Sequence, residues 1–187
     1  MERSIQARLR DTDFCGNVYL EEIVSLPKAL MDPSYELLIR LLAAAVEFSG
    51  LPAIHVSELP PVIVMPREEL NRTVCVADPV RCTGLMAAFD TERYRILVDS
   101  RLDLNEASDN SFLVHEIVHV LQLKQAGSRR FTSCRAVISS EREAYEVQNR
   151  YLMQNSIPGQ HGASLRFARC PEAEDVSDKV KTTGAAK

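Results

Sequence analysis

Apolar and polar positions change period several times along these 187 residues, and the changes mark out the elements. Asp32-Pro33 offers a cap followed by proline at the first helical position, predicting a helix from Tyr35 to Phe48 that Gly50 ends. Short runs follow. Ala53 to Ser57 and Val62 to Met65 read as strands separated by Pro60-Pro61, and Pro66 to Asn71 reads as a helix start. Gly84 to Phe89 and Tyr94 to Asp99, joined by Asp90 to Arg93, predict an antiparallel hairpin. From Phe112 to Ala126 neither proline nor glycine intervenes. Asp109, with Ser108 and Ser111 close by, offers the N-cap, Gly127 stops the run, and Lys124, Arg129 and Arg130 cluster where cations favour the helix dipole. Its middle turns are apolar nearly all round, so the helix is expected to be enclosed by other elements.

A further helix is predicted from Ser139-Ser140, where Ser140 and Glu143 have capping-box spacing. Beyond Asn155 the pattern weakens. Pro158 to Gly162 is turn-rich, and Glu172 to Lys187 lacks aromatic and most bulky apolar residues, so a single domain over residues 1–170 with a disordered tail over 171–187 is expected. The hydrophobic content of 45% and charged content of 26% are those of an ordinary globular domain. No internal repeat is evident.

The candidate chemistry lies in the enclosed helix. His115-Glu116-Ile117-Val118-His119 is an H-E-x-x-H pattern, which on a helix puts both imidazoles on one face, close enough to share one Zn²⁺, with Glu116 beside the ion. Such a pentapeptide can arise by accident. Here the flanking residues Phe112, Leu113, Val114, Val120 and Leu121 are all uncharged, and burying His115, Glu116 and His119 among them without partners would cost several kcal/mol. A metal and its water offset that cost, and a third ligand with an open fourth position would make the site catalytic.

Periodicity separates the candidates for the third ligand. Glu141, Tyr145, Gln148 and Leu152 follow the i, i+4, i+7, i+11 stripe beside Ala144, Val147 and Tyr151, whereas Glu143, Glu146 and Arg150 share a charged face. Glu143 has a capping role to fill. Glu141 points toward the core side, either as an ordinary first-turn acid or as the ligand, and the ligand reading is preferred.

These residues resemble a family. His115-Glu-x-x-His119 followed by Glu141-x-x-Ala144-Tyr145, 22 residues on (141 − 119), looks like the gluzincin metallopeptidases, in which a glutamate on a following helix is the third zinc ligand. Within that group, H-E-x-V-H-x-L-Q over His115 to Gln122 and E-x-E-A-Y over Glu141 to Tyr145 are similar to a set of small bacterial zinc-peptidase-like proteins. The resemblance covers about residues 84–155. It implies an α+β, zincin-like fold, with a small antiparallel or mixed sheet packed on an active-site helix and a following ligand-bearing helix. It also implies zinc as cofactor, a peptide or protein substrate, and a sheet edge that pairs with extended peptide. Many gluzincins have aspartate where Tyr145 stands. That residue orients a ligand histidine, so the Tyr145 hydroxyl or another group must do so here.

In the mechanism so implied, His115, His119 and Glu141 bind zinc, Glu116 takes the proton of the attacking water and passes it to the leaving amine, and Tyr145, Tyr151 or His161 supplies a donor to the oxyanion. Two other functions share these residues: a regulatory metalloprotein acting on one partner protein, and a non-catalytic, zinc-stabilised binding module. An unligated buried Glu116 argues against the second.

A net charge of −4 without a long basic run counts against nucleic acid or an anionic membrane as partner. No stretch approaches the ~20 apolar residues of a membrane span, and the charged N-terminus from Glu2 to Asp13 is no signal peptide, so the chain as written is expected in the cytoplasm. Related proteins often look exported, which keeps a periplasmic or secreted chain with its leader removed as the alternative. Five cysteines cannot all pair within one chain. Cys75 and Cys82 could close a small loop, Cys134 falls between the two ligand-bearing helices, and the reduced state is the default expectation.

Overall fold

The computed structural model describes residues 33–171. The expected cap at Asp32, the first 32 residues of the expected domain and the tail from Glu172 lie outside them. The first helix, α1 (Tyr35–Ser49), is capped by the Ser34 side chain, which accepts the Leu37 N–H at 3.2 Å, and ends at Gly50 in the left-handed conformation (φ 67°). Pro33 therefore precedes the cap instead of following it.

Ala53 to Ser57 forms no strand. Residues Val56–Glu58 make a 3-10 turn in which the His55 ring accepts the Ser57 N–H and Glu58 accepts the His55 N–H at 3.0 Å. The alternation that suggested a strand is satisfied by packing, because Ile54, Val56 and Leu59 all lean on the core. The other strands form, β1 with the expected bounds, β2 starting three residues later than expected and taking in Asp90, and β3 starting one residue later. Strand β1 (Val62–Met65) leads into helix α2 (Arg67–Val74), and β2 (Ala87–Asp90) turns back antiparallel to β3 (Arg95–Asp99). The sheet is mixed and three-stranded in the order β1-β3-β2, with β1 parallel to β3. Central β3 contributes Ile96, Leu97 and Val98, all fully buried, as expected for a strand covered on both faces.

Helix α3 (Ala107–Ala126) packs against α1, β2 and the last helix, α4 (Cys134–Gln154), and all but one of its residues from Asn110 to Gln122 are buried. This is the enclosed helix that the apolar run predicted. Its start lies five residues before Phe112, because Asp109 does not cap it: the Asp109 carboxylate accepts the Asp103 N–H at 2.7 Å and lies in the first turn. Gly127 ends it as expected, opening a 3-10 turn through Phe131.

The capping-box reading of Ser140 and Glu143 is also corrected. Helix α4 starts at Cys134, capped by Ser133, whose side chain accepts the Ala136 N–H at 3.2 Å, so Ser140 and Glu143 lie well inside it. A second correction concerns the cysteines. Cys75 pairs with Cys82, and Cys134 pairs with Cys170 across 36 residues, so the four cysteines among the described residues are oxidised. Cys15 lies outside those residues.

Candidate metal centre

Two neighbouring turns of α3 carry His115, Glu116 and His119, each at most 7% exposed. Across from them α4 presents Glu141. The two Nε2 atoms stand 3.1 Å apart, Glu141 Oε2 is 3.3 Å from His115 Nε2, and Glu141 Oε1 is 3.3 Å from His119 Nε2. Two donors bound at 2.0–2.1 Å to a tetrahedral zinc stand roughly 3.3–3.4 Å from each other, so the triangle has the size that such an ion requires. Two imidazoles and one carboxylate are also the ligand set of an open zinc site. The group could hold a metal ion. Without one, the same atoms form ion pairs among themselves.

The electrostatics favour a cation in this position. Burial opposes the charged form of His119, yet the hydrogen bond it donates to Glu141 and the charges of Glu116 and Glu141 outweigh it and raise its pKa. Burial likewise works to raise Glu141, but the two histidines hold it well below the usual carboxylate range. A bound metal would take the place of the shared proton, since ligand histidines must be neutral.

Gln122 sets which nitrogen of His119 faces Glu141. Its Nε2 donates to Ser140 O at 3.1 Å and to Glu143 Oε2 at 3.0 Å, which leaves Oε1 to accept from His119 Nδ1 at 2.9 Å and from the Ser140 hydroxyl. With its proton on Nδ1, neutral His119 turns an Nε2 lone pair toward the triangle. Glu143 is accounted for by the same bridge and by its ion pair with Arg130, so it lies apart from the ligand group, though not as a cap. Sequence reasoning missed this role of Gln122 and of Ser140. The signal was a glutamine three residues after His119, on the same face of an otherwise apolar run.

Glu116 lies beside the triangle and not within it, and its Oε2 accepts the Phe89 N–H of β2 at 2.8 Å. Asp99 N–H donates to Met86 O at 2.9 Å, so the ladder between β2 and β3 uses the even-numbered residues of β2. The N–H groups of Ala87 and Phe89 therefore face the free edge of the sheet.

Of the two alternatives for orienting a ligand histidine, another group does so for His119, which Gln122 holds, and Tyr145 meets His115 through its ring. Its ring lies tilted against His115, with centroids 4.4 Å apart, and burial together with the Glu141 and Glu116 charges keeps it a neutral phenol. Among the described residues His115 Nδ1 has no hydrogen-bond partner. Tyr151 is removed from the oxyanion candidates, because it packs against the core and does not line the cleft. His161 does reach the site. Its ring stands edge-on to Phe112 at 5.5 Å, and burial, helped by the nearby His115, lowers its pKa and keeps it neutral. Its loop is clamped, since Asn149 accepts the His161 N–H at 2.9 Å and donates to the His161 carbonyl at 3.0 Å.

A cleft of about 520 Å³ opens over these groups. Val74, Leu85, Met86, Phe89, Phe112 and Phe131 give it apolar walls, and among the described residues Glu116 and Glu141 are the carboxylates that line it.

Residues 37–162 match the model of a family described as Domain of unknown function (DUF6647), a span that includes every residue of the triangle. No curated protein and no solved structure matches the chain.

Proposed function

The chain belongs to the DUF6647 family, and we propose that it is a zinc-dependent metallopeptidase of zincin-like, gluzincin type, with His115, His119 and Glu141 as ligands and Glu116 as general base. The observation that carries this reading is the triangle of donors 3.1–3.3 Å apart with a second carboxylate beside it and outside it. When bound, zinc would supply Lewis acidity, polarising a carbonyl and bringing the pKa of a water toward ~7.

The protein's own residues do the rest. Glu116 accepts a proton as water adds to the carbonyl carbon, then gives it to the amine as the C–N bond breaks. Phe89 N–H holds the Glu116 carboxylate in place at 2.8 Å. The outward backbone groups of Ala87 can pair with an extended substrate by strand addition, and the apolar walls exclude water. Tyr145 and His161 line the cleft and remain the donors available to an oxyanion. Two disulfides in one small domain support an oxidising compartment, the exported alternative. Among the described residues no helix is long and apolar enough to cross a membrane.

The test measures bound zinc and cleavage of casein or peptides for the native chain and for Glu116→Gln, Glu141→Ala and Glu143→Ala. Glutamine at 116 can still accept the Phe89 N–H, so it separates a structural role from a catalytic one. Glu116→Gln is expected to keep zinc and lose cleavage by roughly 10²–10⁴-fold. Glu141→Ala is expected to lose most of the zinc, and Glu143→Ala to keep it. Full zinc in Glu141→Ala with loss in Glu143→Ala would overturn the ligand set, and undiminished cleavage by Glu116→Gln would overturn the mechanism.

A further inference from the structure

His115 Nδ1 and Gln148 Oε1 are both buried without a hydrogen-bond partner among the described residues, and both residues line the cleft. The orientation of the Gln148 amide is set by its neighbours. Ser111 Oγ gives its one proton to Ser108 O at 2.6 Å, so in its 3.0 Å contact with Gln148 it can only accept, and Gln148 Nε2 is the donor. That turns Oε1 the other way, an acceptor with nothing to accept. His115 is the complementary case. If its Nε2 holds a metal, the neutral ring carries its proton on Nδ1, a donor in need of an acceptor.

The two residues lie on helices α3 and α4, which pack against each other. Ser111, which holds Gln148, lies one turn before His115 on α3, and Tyr145, whose ring covers His115, lies one turn before Gln148 on α4. The terminal torsion of glutamine is broad, and turning Oε1 toward the imidazole gives up the Nε2 contact with Ser111 in exchange for the Nδ1–H bond.

We propose that Gln148 is the positioning residue of His115, its Oε1 accepting the Nδ1–H when Nε2 faces a metal, as Gln122 Oε1 does for His119. The proposal rests on the metal reading above. Both ligand histidines are then oriented by neutral amides instead of carboxylates. A neutral acceptor raises imidazole basicity less than an anionic one, which leaves a bound ion more electrophilic.

Zinc affinity of the metal-free protein, measured by competition with a chromophoric chelator, tests it in the native chain, Gln148→Met, Gln148→Glu and Ser111→Ala, each checked for folding by circular dichroism. Gln148→Met keeps the shape without the acceptor and is expected to bind zinc ~10–100-fold more weakly. Gln148→Glu restores the acceptor but not the donor to Ser111, and is expected to stay within about threefold of the native chain or bind more tightly, as is Ser111→Ala. In the zinc-loaded native chain, histidine-selective nitrogen NMR should find the His115 proton on Nδ1. Native affinity in Gln148→Met, a loss in Gln148→Glu as large as in Gln148→Met, or a His115 proton absent from Nδ1 would overturn the proposal. A native chain that binds no zinc overturns the metal reading itself, which keeps the two failures apart.

Discussion

Gln122→Met keeps the volume of a fully buried side chain and removes all of its polar atoms. Four hydrogen bonds disappear, with His119 Nδ1, the Ser140 hydroxyl, Ser140 O and Glu143. The partners are not all stranded. Ser140 Oγ stands 3.3 Å from His119 Nδ1, so these two can bond to each other, Ser140 O lies inside α4, and Glu143 keeps Arg130. The loss is therefore two or three bonds at about 1 kcal/mol each, a total of ~2–3 kcal/mol. For a chain of this size that corresponds to a fall in Tm of roughly 5–10 °C. Because the Ser140 hydroxyl can still orient His119, zinc affinity should fall only ~10-fold, the low end of what an outer partner contributes. Urea unfolding of the metal-free protein, followed by far-UV circular dichroism, reads the first quantity, and chelator competition reads the second. Glu143→Ala serves as the control, since it removes only the half-exposed carboxylate that Gln122 Nε2 and Arg130 share and leaves Gln122 bonded to Ser140 and His119, so it should cost about 1 kcal/mol. An unchanged unfolding midpoint together with native zinc affinity in Gln122→Met would refute the view that this bridge fixes the ligand helix.

Three further outcomes are expected. Replacing Cys134 and Cys170 by serine removes a cross-link spanning 36 residues, and the chain-entropy relation puts the loss near 4 kcal/mol, so melting curves of the native and double-variant proteins that coincide would be the wrong result. Gly162 has φ +76° and a Cβ added there would lie 2.6 Å from the Tyr145 ring, whereas Gly50 (φ +67°) faces open space. Gly162→Ala should accordingly cost ~2–4 kcal/mol against about 1 for Gly50→Ala, and equal shifts in urea midpoint would contradict it. Ala87→Pro deletes an N–H outside the β-ladder, so stability and zinc content should hold while peptide cleavage drops at least ~10-fold; unchanged cleavage would remove strand addition from the mechanism.

What could be read from the sequence was what local pattern controls. The enclosed character of α3 followed from its apolar run, the hairpin from two alternating segments and a short link, and the placement of Glu141 beside the histidines from the stripe it shares with Tyr145 and Gln148. The misreadings share one cause. Ser140 with Glu143 is a valid cap by spacing, but both side chains serve contacts to α3, which spacing along α4 cannot reveal. Asp109 has the composition and position of a cap, but its carboxylate is used by the Asp103 N–H. A strand exists only with a partner, and the segment from Ala53 to Ser57 has none. The Cys134–Cys170 pair joins positions that no local pattern links. Tyr151 lies next to the stripe of Glu141, yet it packs against the core and does not line the cleft.

The division of the triangle between α3 and α4 has a consequence for the life of the chain. His115 and His119 are neighbours as soon as one turn of α3 forms, but Glu141 joins them only when the antiparallel helices close on each other. On the proposed reading, a nascent or partly unfolded copy carries an incomplete cutting site and cannot digest itself or its neighbours during synthesis. Competence then arrives together with tertiary closure, which makes the fold its own safety catch without a pro-segment having to serve as one.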